Sequence, residues 1–294
     1  MTATARLLSG NRLHLQHGPI DLIIGADGRS NEIERAYRAA LDAFPSILPA
    51  LVAELPLLRT AVPSKAYFPS RLEGRGRNGS DGPVAHRMCA AVWPYRDQFI
   101  TPMAAVAGSV ADHVLAVMCA AASLDRAYVN NGGDIAIYLK GTTTFTVGVV
   151  GDLAAPGIDA KIIIGRADRI GGIATSGWRG RSQSLGIADA VTVLARSAAA
   201  ADAAATMIAN AVDVDDTAIL RRPAHEIKDD SDLGSIAVTV GVGCLSDAQR
   251  SRAVANGVGR AQECLTKNLI VAAYIQLQGA TAVVGLPTVR LQAA

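Results

Sequence analysis

Tyr128 to Leu139 reads YVNNGGDIAIYL. Within it, Asn130-Asn131-Gly132-Gly133-Asp134 joins two flexible glycines to an acid, directly before an apolar, strand-like run. Glycines let a backbone approach a ligand closely, and an acid beside them can meet a ribose hydroxyl or a cation. Taken alone, a glycine pair before a strand is a turn. The neighbours decide what else it is. An Ala-rich helix runs in from Pro102, a β-rich stretch runs out through Thr146 to Ile164, and a further cluster spans Ile173 to Val212.

Upstream, Leu13-His14-Leu15 alternates like a strand, Ile20 to Ile24 is a strong apolar strand, and Gly25 to Gly28 ends it as a turn. Asn31 with Glu34 has the spacing of a capping box, and Ile33, Ala36, Tyr37, Ala40 and Leu41 follow at helical spacing. Pro45 is expected to stop that helix, with Ile47 to Leu58 forming a second one. Ser70 to Pro83 is the most loop-like stretch; its Arg71, Arg75 and Arg77 are a possible phosphate clamp, although such composition reads first as a solvated loop. Thr101 can cap, and Pro102 can open, a small-residue helix over Met103 to Ala122, in which Gly108 and Ser109 permit close packing.

Downstream, Asp134 to Leu139 and Thr142 to Val150 read as a hairpin around Lys140-Gly141. Lys161 to Ile164 and Ala190 to Ala195 are strands, and Ser197 to Val212 is a strong helix. Ser246 can cap a helix over Asp247 to Leu269; strands follow at Ile270 to Gln278 and Ala282 to Leu286. TVGVVGDL (Thr146 to Leu153) and TVGVGCL (Thr239 to Leu245) echo one another, which suggests a duplicated β-rich architecture. Alternation of hairpin pairs with long helices implies an α+β fold rather than a doubly wound parallel sheet. No G-x-G-x-x-G follows a strand, so no Rossmann site is indicated.

Composition narrows the function. Half the 294 residues are apolar and 18% are charged, as in ordinary globular proteins. Aromatics are scarce at 4% and the net charge is only +2, so neither nucleic acid nor an anionic membrane is an expected partner. The amino terminus lacks the apolar core of a secretory signal, and Asp112 and His113 interrupt the best membrane-span candidate, Pro102 to Leu124; a cytoplasmic location is expected. Cys89, Cys119, Cys244 and Cys264 show no metal or disulfide spacing and read as reduced thiols. His14, His17, His86, His113 and His225 form no metal-ligand pair on a helix face. A homo-oligomer is compatible with so apolar a chain, but no heptad specifies one.

Asp202 and Thr206, four apart, share a helix face about 6 Å apart along the axis. A carboxylate and a hydroxyl so placed can hold Mg²⁺, although each also has ordinary structural uses. Together, NNGGDI (Asn130 to Ile135), IATSG (Ile173 to Gly177) and ADAAAT (Ala201 to Thr206) resemble, in order and rough spacing, the motifs of the ApbE-like superfamily, which includes the FAD:protein FMN transferases. The resemblance implies Mg²⁺ ligands at Asp202 and Thr206, and a site for FAD or FMN at Gly132, Gly133 and Asp134, with Thr175, Ser176 and Gly177 lining the same pocket. PMAAVAGSVAD, Pro102 to Asp112, resembles the helix that covers the flavin. Arg179 and Arg181, with Ser182 beside them, would meet the oxygens of a pyrophosphate, for which planar guanidinium forks are suited.

One departure limits the analogy. Transferases of the superfamily carry His-x-x-Asp-Pro-x-x-Gly after the TSG; here Trp178 to Ala190, WRGRSQSLGIADA, holds no histidine. The chain resembles an uncharacterised cytoplasmic branch with a G-R-S-x-S-L-G-x-A-D-A pattern. Asp189, the only acid of the replacing loop, is the remaining catalytic candidate. The implied fold is a T-fold type, antiparallel sheets with helices on one face, in a single domain over 1–294 built from two intimate halves of about 1–150 and 151–294. The leading expectation is a protein binding a phosphorylated small molecule with Mg²⁺, acting by metal-assisted polarisation of a phosphoryl group. The alternatives are a non-catalytic cofactor carrier or assembly protein, and an FMN transferase with a substituted loop.

Overall fold

A computed structural model describes residues 2–62, 82–149, 160–180, 182–285 and 290–293. The strands are β1 (Thr4–Leu8), β2 (Arg12–His17), β3 (Ile20–Asp27), β4 (Arg126–Asn131), β5 (Asp134–Leu139), β6 (Thr144–Val149), β7 (Ala160–Gly165), β8 (Gly172–Ser176), β9 (Ala190–Ala195), β10 (Ile219–Pro223), β11 (Ala237–Val242), β12 (Ala272–Leu277), β13 (Ala280–Val284) and β14 (Arg290–Ala293). The longer helices are α1 (Ser30–Ala53), α2 (Pro83–Val92), α3 (Val106–Ala121), α4 (Ala198–Ala211) and α5 (Asp247–Thr266). The fold is α+β, with antiparallel strand pairs carrying helices.

The chain forms two compact units: residues 1–144 with 171–173 and 197–203, and residues 145–170 with 174–196 and 204–294. In the first, β1 to β5 pair antiparallel in chain order, and β5 also pairs with Gly172 and Ile173 of β8. Alternate residues Leu13, Leu15, Leu22, Ile24, Ala127, Val129 and Ala136 are buried, a period of two that turns one sheet face toward α1 and α3. Helix α1 answers with a buried stripe of Ala36, Tyr37, Ala40, Phe44, Ile47 and Leu51.

That stripe explains why Pro45 does not stop α1. The helix runs through both Pro45 and Pro49, because burial of Phe44, Ile47 and Leu51 outweighs the missing N–H donors. The expected capping box does not form either. The helix begins at Ser30 after Arg29 without a side-chain cap, and Glu32 instead accepts the Ser123 N–H at 2.7 Å. A strand at Thr4–Leu8 and a helix at Pro83–Val92 were not expected from the sequence. Most of the Arg-bearing loop, including Arg71, Arg75 and Arg77, lies outside the described residues.

In the second unit the strand order is β8-β9-β12-β13, with β9, β12 and β13 paired antiparallel. Strands β14, β7 and β6 form a three-stranded sheet, and β10 with β11 a two-stranded one. The expected hairpin of 134–139 with 142–150 is therefore corrected: β5 pairs with β4 and β8, while β6 belongs to another sheet. The TVGV echo also does not mark two halves, since its described residues in β6 and β11 both fall in the second unit.

Another duplication is present. Each unit carries a long helix followed by a two-residue hairpin: α3 then β4–β5 turning at Gly132-Gly133, and α5 then β12–β13 turning at Gln278-Gly279. All four turn residues have positive φ (64°, 114°, 45° and 82°), as the primed hairpin turns require. Helix α5 starts as expected, with the Ser246 hydroxyl and Gln249 in a capping box. The four cysteines are free, Cys89 and Cys264 being buried.

Candidate functional site

In the first unit, three sequence-distant elements converge on Asp202. The Asn130 carboxamide oxygen accepts the Gly133 N–H at 2.8 Å and so closes the GGD turn. Buried Asn131 donates its Nδ2 to the Ala107 carbonyl at 3.1 Å, tying the turn to the start of α3. Thr101 makes no side-chain cap for the 3₁₀ turn Pro102–Ala105 that leads into α3. The acceptor comes from much further along the chain: Asp202 Oδ2 takes the Gly108 N–H at 3.0 Å.

Helix α3 returns the interaction. Asp112 accepts the first N–H groups of α4, Ala198 at 3.0 Å and Ala199 at 2.9 Å, while Ser197 Oγ accepts that of Ala200 at 3.2 Å. Each helix thus satisfies its orphan amides with a carboxylate from the other. Gly108 and Gly172 make the approach possible, since a Cβ on either would overlap the Ala198 backbone. Sequence reasoning named Gly108 as a packing residue and Asp112 as an obstacle to membrane insertion, and placed both in the segment that resembles a flavin-covering helix; neither was read as part of a cap. Their partners lie 86 to 94 residues away, beyond any local pattern.

The electrostatics follow from this packing. Burial pushes the Asp202 carboxyl well above the usual carboxylate range, and the charge of Asp134 pushes it further; the amides of Gly108 and Ala107 work against both. Burial also raises Asp112, opposed by the Ala199 and Ala198 amides. Asp134 and Asp202 are both half-buried, so solvent still reaches them. Thr206 is half-buried one turn further along α4. Gly132 and Gly133 are exposed at the turn, and a Cβ on Gly133 would meet nothing within 4 Å. Among the described residues no three His, Cys, Asp or Glu side chains group as a metal cage.

In the second unit the TSG segment ends β8. Thr175 shares a hydroxyl–hydroxyl bond of 2.9 Å with buried Thr192 of β9, and Ser176 is half-buried. A Cβ on Gly177 would overlap the Asp189 carbonyl, so only glycine fits there. The Trp178 amide donates to the Ala188 carbonyl at 3.0 Å, closing the base of the loop. Asp189 is held on both sides: Oδ2 accepts the Gln278 N–H at 2.5 Å, and Oδ1 receives Trp178 Nε1 at 3.3 Å and Arg179 Nε at 3.4 Å. The Arg179 guanidinium lies over the Trp178 ring, 4.7 Å from its centroid. Ser182 is exposed, and Arg181 lies outside the described residues.

The rest of the replacing loop is committed to structure. Gln183 donates to the Ala224 carbonyl at 2.9 Å and accepts from Ser231; the Ser184 carbonyl accepts the Thr239 N–H at 2.9 Å; Leu185 donates to Asn210 at 3.0 Å. Pro102–Ala121 is long and apolar enough to cross a membrane by length and composition, with a mean hydropathy of 1.7. In this fold its Gly108, Val110, Ala111 and Val114 are buried among protein, and its Asp112 caps α4.

The model of the family described as AbpE bacteria matches residues 4–283, and the chain belongs to that family. A UPF0280 protein of Methanopyrus kandleri is 33% identical over 227 residues, covering 75% of this chain and 83% of its own length. One from Methanothrix thermoacetophila is 35% identical over 156 residues, 53% of this chain and 62% of its own. Of solved structures, the ApbE protein of Thermotoga maritima superposes with a TM-score of 0.49 at 13% identity, over 95% of this chain and 96% of that one. The apo flavinyl transferase ApbE of Pseudomonas stutzeri gives 0.38 at 12% identity, over 96% and 93%.

Proposed function

We propose that the chain binds a flavin nucleotide, or a similar phosphorylated cofactor, together with Mg²⁺. The observation that carries this reading is that the GGD turn and Asp202 are tied to adjacent residues of α3, Asn131 to the Ala107 carbonyl at 3.1 Å and Asp202 to the Gly108 N–H at 3.0 Å, so that the Asp134 charge acts on the Asp202 carboxyl. Like charges so placed are costly unless a proton or a cation shares them. The donors fit a hard cation: Asp202 offers a carboxylate on which the Asp134 charge acts, Thr206 offers a hydroxyl one turn along the same helix, and Mg²⁺ takes few protein ligands and keeps room for water and phosphate. When bound, Mg²⁺ would polarise a phosphoryl oxygen. The chain's own part is positioning. The Gly108 amide orients Asp202, and the Asn130 bond shapes the GGD turn.

The engagement of Asp189 favours a binding or carrier role over acid–base catalysis. Its two oxygens serve Gln278, Trp178 and Arg179, so the only acid in the loop works as an anchor. Absorbance of the purified protein, with FAD and FMN titrations in the presence and absence of Mg²⁺, tests the reading. Saturable binding that needs Mg²⁺, without turnover, is expected. Binding of neither flavin nucleotide in either condition rejects a flavin ligand, and slow hydrolysis or transfer rejects the carrier role.

A further inference from the structure

We propose that Trp178 forms a stacking site for a planar heteroaromatic ring, the isoalloxazine of a flavin or a purine base, with Arg179 and Asp189 holding the indole in place. This rests on the reading that the ligand is a ring-bearing phosphorylated cofactor. In a chain with 4% aromatic residues and two tryptophans, one indole directly follows the TSG segment and stands half-exposed. Both of its N–H groups are bonded: the backbone amide to the Ala188 carbonyl, and Nε1 to Asp189. Asp189 is fixed in turn by the Gln278 amide at the β12–β13 turn. Gly177 and the Asp189 backbone are pressed together too closely for any side chain, so the loop base has no slack.

A rigid, partly exposed aromatic gives contact area at little entropic cost, and every heteroaromatic ring has a π-face to offer it. The Arg179 guanidinium, 4.7 Å from the ring centroid, is itself planar and can extend the stack. As a stability device the assembly is poor: Arg179 is 46% exposed, and ion pairs of that kind contribute little. Pre-organisation for a ligand is the better account of so many restraints on one half-exposed indole.

The test uses the full chain with Trp93→Phe, which leaves Trp178 as the only tryptophan. FMN, ADP and inorganic pyrophosphate are titrated with Mg²⁺, following tryptophan emission and, in parallel, binding heat. FMN or ADP should quench Trp178 saturably, and whichever binds more tightly names the ring. Trp178→Leu should weaken that ligand roughly tenfold to a hundredfold, while Trp178→Phe keeps most of the affinity and pyrophosphate changes by less than about twofold. Unchanged affinity of the ring-bearing ligand in Trp178→Leu overturns the proposal. Equal weakening of pyrophosphate also overturns it, because that is the signature of a damaged fold. If pyrophosphate binds and neither FMN nor ADP quenches, stacking fails while the phosphate reading stands; if none of the three binds, both fail.

Discussion

At the scale of single residues, Asp202 has a structural role beside the metal-ligand role proposed for it. The resemblance of ADAAAT to a family motif implied a metal ligand; the geometry adds that one of its oxygens caps α3 through Gly108. Asp202→Asn separates the two, since a carboxamide oxygen can still accept the amide but brings no charge. A carboxyl raised in the folded state keeps its proton there longer than in the unfolded chain. Its ionisation therefore costs stability, from nothing below the ordinary carboxylate range to a full cost once pH exceeds the raised value. In metal-free buffer the melting temperature of the wild type should fall relative to Asp202→Asn as pH rises through that window, and Mg²⁺ should restore it in the wild type only. Parallel melting curves across the pH series would show that Asp202 carries no such burden. His113 shifts the other way: burial and the Arg87 charge lower it, so stability should drop as pH falls below the usual histidine range, and His113→Gln should flatten that limb of the melting profile.

At the scale of elements, the α3–α4 junction is the part of the site least visible in the sequence. Periodicity located both helices, because their small apolar residues repeat at helical spacing. The close contact between them needed Gly108, Gly172 and a pair of carboxylates exchanged across it. Local rules offered Thr101 as a cap and Pro45 as a stop; Thr101 makes no side-chain cap, and the buried stripe of α1 carries the helix through Pro45. Two substitutions measure the junction by urea denaturation. Asp112→Ala should cost about 1–2 kcal/mol through the lost caps of α4. Gly108→Ala should cost about 1–3 kcal/mol, because a methyl group there meets backbone rather than a side chain that can move. A neutral Gly108→Ala would mean that the helices do not approach as closely as described.

At the scale of the molecule, each unit repeats a long helix followed by a glycine-turned hairpin, and the residues near the two turns have diverged. In the first unit the turn adjoins Asp134 and is tied to the start of α3; in the second the Gln278 amide anchors Asp189 and, through it, Trp178. The α+β class was legible because alternating and helical periods follow one another cleanly along the chain. The partner of β6 was not, since adjacency in sequence favoured β5 and nothing local opposed it. The segment that replaces the histidine motif read as a possible site; its Gln183, Ser184 and Leu185 instead fasten the chain around Ala224, Thr239 and Asn210. The most direct test is calorimetric titration of FMN and FAD, with and without Mg²⁺, into the wild type and Asp202→Ala. Mg²⁺-dependent binding in the wild type that disappears in the variant is predicted; a Mg²⁺ requirement that survives Asp202→Ala would contradict the assignment.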